Sequence, residues 1–218
     1  MAFLNWIVEV IRDPGELIRW GGYPGLSLVI FVETGALIFF LPGDSLLVMA
    51  GVYAAKGDLS IWLLNLLLIP AAALGGITSY AFASRIGPRL FTRRSRLLKP
   101  EHLVAAHAFY EKHGGKAIVL ARFLPIVRTF VPVVAGAARM DYRRYTFFNV
   151  LGAAAWVLSM TPIGYALGAS VPNLEKHIEK VAVIVIAISL VPGFIGWWRH
   201  RRGKAAVAAA AASPTDAK

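Results

Sequence analysis

The sequence predicts an all-α polytopic membrane protein: an inverted repeat of a re-entrant helical hairpin plus a transmembrane helix, with an additional C-terminal transmembrane helix. Three observations predict it. Of the 218 residues, 57% are hydrophobic and 16% charged, whereas soluble domains carry about 25% charged residues. Uncharged apolar runs long enough to cross a bilayer alternate with basic segments. Two further apolar stretches are interrupted by charges and prolines. This composition argues against a disordered chain and against a soluble enzyme.

Taken in order, residues 1–24 read as an N-terminal interfacial amphipathic helix. Glu9, Arg12, Asp13, Glu16 and Arg19 interrupt it too early for a signal peptide, and Pro14-Gly15 is its expected break. The membrane domain is expected over 25–198. Its first hairpin, about 25–55, contains Glu33, Asp44 and a Pro42-Gly43 break. As helices its arms reach only about 24 and 20 Å at roughly 1.5 Å per residue, short of a core of about 30 Å. A transmembrane helix follows at about 59–84. The second hairpin, about 117–138, holds Arg122, Pro125, Arg128 and Pro132. Transmembrane helices at about 145–171 and 179–198 follow, the latter closing on Trp197-Trp198 beside Arg199, an interfacial anchor. Residues 101–113 read as an amphipathic surface helix. Residues 199–218 read as a basic, Ala-rich cytoplasmic tail. Backbone broken at membrane depth is tolerated only inside protein or beside a wet cavity.

Lysine and arginine set the orientation. The segments 85–116, 139–144 and 199–204 are rich in them, while the opposite side has Lys56, Lys176 and Lys180. The rich side is assigned to the cytoplasm, where it meets anionic lipids. A weak repeat at an offset of 85 pairs Ala50-Gly51 with Ala135-Gly136 and Tyr80-Ala81 with Tyr165-Ala166. Inverted repeats of this kind carry substrate at the midplane, between the halves.

Glu33, Asp44, Arg122 and Arg128 are the chemistry-bearing residues. Each costs at least a few kcal/mol if it faces lipid. Two acids in one hairpin and two arginines in the other meet if the hairpins meet tip to tip. One reading is two buried ion pairs that pin the hairpins. The other is that the arginines bind an anion bidentately while the carboxylates carry protons. Asn65, Thr78, Ser79, Asn149, Ser159 and Thr161 are expected to hydrogen-bond between helices, and Gly75-Gly76, Gly152, Gly164 and Gly168 to let helices approach. Cysteine is absent, and all five histidines lie outside the apolar runs. No metal site or organic cofactor is expected, and the basic loops lack the aromatic interleaving of a nucleic-acid surface.

At these residues the sequence resembles the DedA family of bacterial inner-membrane proteins, part of a wider group sharing the VTT domain. The matching stretches are Phe-Val-Glu-Thr-Gly at 31–35, Leu-Pro-Gly-Asp-Ser-Leu-Leu at 41–47, and Ala-Arg-Phe-Leu-Pro-Ile-Val-Arg-Thr-Phe-Val-Pro-Val-Val-Ala-Gly at 121–136. Phe148-Asn149, Gly152, Trp156 and Gly164-Tyr165 also agree, so the resemblance covers about 25–170. It implies re-entrant hairpins in an inverted repeat, and that Glu33, Asp44, Arg122 and Arg128 match the family's essential charges. It further implies recycling of undecaprenyl phosphate driven by the proton-motive force, or phospholipid flipping.

The expected function is therefore proton-linked transport of a phosphate-headed lipid, undecaprenyl phosphate first, across a bacterial inner membrane. Arg122 and Arg128 would bind the phosphate, Glu33 and Asp44 would couple to protons, and Pro42, Gly43, Pro125 and Pro132 would break the hairpins. The alternative is a proton-coupled exporter of small cations or cationic drugs. A membrane lipid phosphatase is disfavoured because no histidine lies in the apolar runs. Oligomeric state stays open.

Overall fold

The computed structural model describes residues 14–35, 43–90 and 114–170. The segments expected at 1–13, 101–113 and 179–198, the tail 199–218, Pro42 and all five histidines lie outside the described residues. The described elements are all helices: α1 (Pro14–Gly35), α2 (Gly43–Ala55), α3 (Ile61–Leu90), α4 (Lys116–Ala121), α5 (Pro125–Ala137) and α6 (Tyr142–Ser170).

α3 and α6 are the long apolar helices. Ile61–Ile86 has 26 residues and Tyr142–Ser170 has 29, so each exceeds the about 30 Å of a hydrocarbon core at about 1.5 Å per residue. Large apolar side chains stand exposed along both: Trp62, Leu66, Leu74 and Phe82 on α3, Phe147, Leu151, Leu158 and Ile163 on α6. A face this continuous needs an apolar solvent. The two helices run antiparallel: Asn65, early in α3, bonds Thr161, late in α6, while further along α3 the Tyr80 hydroxyl donates to the Met140 carbonyl just before α6. Its ring also stacks on Tyr145, with centroids 4.5 Å apart. α6 starts at Tyr142 because Asp141 caps it, accepting the Arg144 N–H at 2.8 Å.

The breaks follow from local chemistry. α1 is two helical pieces joined at Gly22, whose φ of 50° and ψ of −146° suit glycine and few other residues. The described helix begins at Pro14, a residue well accommodated in a first helical turn. The chain before it, and with it the expected break at Pro14-Gly15, lies outside the described residues, and Gly22 is a break that sequence reasoning missed. α5 begins at Pro125, as expected: Leu124 before it is extended. Pro132 does not break the chain, contrary to expectation. It lies inside α5, where it removes one N–H bond while packing on α3 keeps the helix together.

Past Asp44 and Ser45, α2 is apolar on every side, and it is buried from Gly43 to Ala54, as a helix enclosed by protein must be. It packs chiefly on α6. Gly164 makes that approach possible: a Cβ there would lie 1.9 Å from the Val48 carbonyl oxygen. α1 packs on α3 and α4 on α6, while α2 and α5 cross over, α2 to α6 and α5 to α3. The core between them contains Leu26, Ile30, Leu46, Leu47, Met49, Leu64, Leu68 and Trp156. Of the polar residues within spans, Thr161 does bond between helices, to the Asn65 side chain at 2.7 Å. Thr78 and Ser159 instead bond carbonyls of their own helices, a local partner always within reach of a helical hydroxyl.

Candidate functional site: four charges at the helix breaks

Glu33 lies two residues before the end of α1, Asp44 in the first turn of α2, Arg122 just past α4 and Arg128 in the first turn of α5. All four are buried, with Glu33 wholly enclosed. The structure brings the four predicted residues together, but not as two matched pairs. Arg128 takes both acids. Its Nη1 donates to Asp44 Oδ1 at 2.6 Å, and its Nη2 donates to Glu33 Oε1. Its guanidinium also lies over the Trp156 ring, 4.5 Å from the centroid, a cation–π contact. The Trp156 indole N–H donates to the same Asp44 Oδ1 at 2.7 Å.

Arg122 sits in a different setting. Its Nη2 donates to Asn149 Oδ1 at 2.7 Å and to the Ala72 carbonyl at 3.1 Å. Among the described residues no carboxylate pairs with it. Asn149 is held in turn, its Nδ2 donating to the Ala73 carbonyl at 2.9 Å. Tyr145 donates to the Gly76 carbonyl at 3.0 Å, with Asn149 Oδ1 at 3.3 Å. Arg122 is therefore a buried cation held by neutral oxygens of α3 and α6.

Missing side chains make room for this centre. A Cβ on Gly76 would meet Asn149 Oδ1 at 2.4 Å, and one on Gly43 would meet Glu33 Oε2 at 1.8 Å. Gly43 thus serves to admit the Glu33 carboxylate at the start of α2. Pro125 starts the helix that carries Arg128, and Pro132, inside that helix, takes no part in the break.

Sequence reasoning missed Trp156 as a member of the centre and read Asn149 only as a helix–helix contact. Their signal was the spacing of Tyr145, Asn149, Gly152 and Trp156, which at 3.6 residues per turn share the buried face of α6.

A VTT domain model matches residues 41–166, spanning Asp44, Arg122 and Arg128. The chain is 42% identical to Protein DedA of Escherichia coli (strain K12), over 94% of this chain and 96% of that one. It is 34% identical to the inner membrane protein YqjA of the same strain, over 82% and 84%. An uncharacterized membrane protein of Mycobacterium leprae is 41% identical, over 85% and 83%. No solved structure matches the chain.

Proposed function

The chain is a member of the DedA family of VTT-domain membrane proteins, and on that premise we propose that it transports a phosphate-headed lipid across a bacterial inner membrane, linked to the proton-motive force. Undecaprenyl phosphate is the first candidate. The observation that carries this reading is Arg122, a buried guanidinium with no carboxylate partner among the described residues, held open by Asn149 and a backbone carbonyl. A buried cation without a counterion is poised to take an anion, and guanidinium pairs with phosphate in a planar fork. Arg128 is the second phosphate ligand once the lipid competes with Glu33 and Asp44 for it. A carboxylate thus released takes up a proton, and binding and protonation are linked in both directions.

In this reading the arms on either side of the charges form two re-entrant hairpins, about 25–55 and 117–138, as an inverted repeat. The crossed packing of α2 on α6 and α5 on α3 supports it. So do the 13 residues each of α2 and α5, about 20 Å of helix and too short to span. Arg85, Arg139, Arg143 and Arg144 near the contact of Tyr80 with Met140 support a cytoplasmic side for that end, and the C-terminus is proposed to lie on the same side. The basic loops there would contact anionic lipids. The protein acts without a metal or organic cofactor and is not an enzyme.

Reconstitution into liposomes tests this. A fluorescent lipid phosphate should cross faster with protein, and faster again under a pH gradient, without release of inorganic phosphate. Gradient-driven movement of cationic drugs with no lipid-phosphate movement would favour the cation exporter instead.

A further inference from the structure

The two carboxylates of the centre are not equivalent. Asp44 Oδ1 accepts two hydrogen bonds, from Arg128 Nη1 and the Trp156 indole. Asp44 also lies in the first turn of α2, where the helix dipole favours a negative charge. Among the described residues Glu33 has one side-chain donor, Arg128 Nη2 on Oε1, with the Gly43 backbone N–H beside its carboxylate. Its other oxygen, Oε2, is buried against Gly43 and receives no side-chain hydrogen bond among the described residues. Among the described residues, the charged groups facing Glu33 are Arg128 from α5, Asp44 from α2 and, further off, Arg122 after α4. From α6 it is the neutral indole of Trp156 that enters the centre, and α3 places no acid or base beside it; Tyr80 of α3 is occupied with Met140 and Tyr145.

A buried carboxylate oxygen to which no side chain donates is costly, and it is less costly as a neutral hydroxyl. An oxygen that accepts from two side-chain donors is stabilised as the anion; the α2 N-terminus lies beside both carboxylates, so the indole N–H is what sets Asp44 apart. We propose that Trp156 is a positioning residue that holds Asp44 as a fixed carboxylate and so leaves Glu33 as the single proton-carrying group of the centre. The functional meaning rests on the proton-linked transport reading, but the division of labour is a property of the empty protein. Trp156 does two things at once. Its N–H fixes the Asp44 oxygen, and its ring face receives Arg128, so the arginine stays on the Asp44 side when Glu33 becomes neutral.

The test is infrared spectroscopy of full-length protein in phosphatidylethanolamine–phosphatidylglycerol vesicles, comparing high and low pH. Wild type, Glu33→Gln, Asp44→Asn and Trp156→Phe are compared. One buried protonated-carboxyl band should appear on acidification, be absent in Glu33→Gln and persist in Asp44→Asn. Trp156→Phe keeps an aromatic face and loses the N–H, and it should add a second band. In transport assays the wild-type pH dependence should not exceed about tenfold per pH unit, the limit for one proton, and Trp156→Phe should steepen it. A band lost in Asp44→Asn and kept in Glu33→Gln would overturn the proposal, as would a Trp156→Phe spectrum identical to wild type. If Glu33→Gln fails to insert, the second band in Trp156→Phe decides alone. Expected bands in a protein whose transport ignores the gradient would support this division of labour and defeat the proton-linked transport reading.

Discussion

Arg122 and Arg128 lie six residues apart, share the same burial and belong to the same broken segment, yet they are held in opposite ways. Arg128 is clasped by two carboxylates and an indole face. Arg122 is clasped by an amide and a carbonyl. The first is charge-compensated and knits α1, α2, α5 and α6 together. The second carries its charge into the centre uncompensated by any described neighbour. The difference teaches that two arginines of one motif can differ at rest, one tied into the structure and the other left without a counterion among its described neighbours, where the proposed phosphate would meet it first.

The largest effect expected from breaking this contrast is that of Arg128→Ala. It strands two buried carboxylates and should cost about 3–5 kcal/mol, seen as a lower melting temperature in detergent. Removing the acids as well, in a Glu33→Gln/Asp44→Asn/Arg128→Gln triple variant, should recover most of that loss without restoring transport. A triple variant no more stable than Arg128→Ala would show that the cluster is not what destabilises the single variant. Next comes Arg122→Lys, which keeps charge and loses the fork. It should leave melting nearly unchanged and weaken lipid-phosphate binding by about 2 kcal/mol, roughly 30-fold. Wild-type affinity would remove the case for phosphate at Arg122.

A smaller change sharpens the comparison by making one arginine resemble the other. Asn149→Asp gives Arg122 a carboxylate, and the Ala73 carbonyl loses its donor at a cost of about 1 kcal/mol. Lipid-phosphate binding should fall roughly tenfold, because the phosphate must now displace a carboxylate. Binding above wild type would contradict the view that Arg122 is the open cation. The smallest effect is expected at the ends of the helices. Asp58 and Arg143 are exposed, at the α2–α3 link and the start of α6. Asp58→Cys and Arg143→Cys should transport normally in this cysteine-free chain. An impermeant thiol reagent on intact cells should label the first and spare the second, and the reverse pattern would invert the orientation.

That the four charges converge was legible because a charge in an apolar run must find company, and only these four residues needed it. Their pairing was not legible. Which acid reaches which arginine depends on the rotation of four short helices about their axes, and sequence spacing leaves that open across a chain break. Pro125 was readable as a break because it restricts the residue before it. Pro132 has the same chemistry but sits where neighbouring helices hold the backbone, and no local signal separates the two. Trp156 was hidden for a different reason. A tryptophan in an apolar helix is ordinary, and only the approach of α2 turns its N–H into a partner for Asp44.

Two acids and two arginines make the empty centre electrically neutral when all four are ionised. The transmembrane voltage acts on net charge, with about 2.3 kcal/mol per elementary charge per 100 mV across the full field. On the neutral centre it does no work. A proton alone makes the centre positive and a singly charged phosphate alone makes it negative, so the field biases each half-loaded form in an opposite direction. Proton and phosphate together restore neutrality. On the proposed reading, the voltage would discriminate against partial loading, and the concentration gradients alone would drive the empty and fully loaded forms.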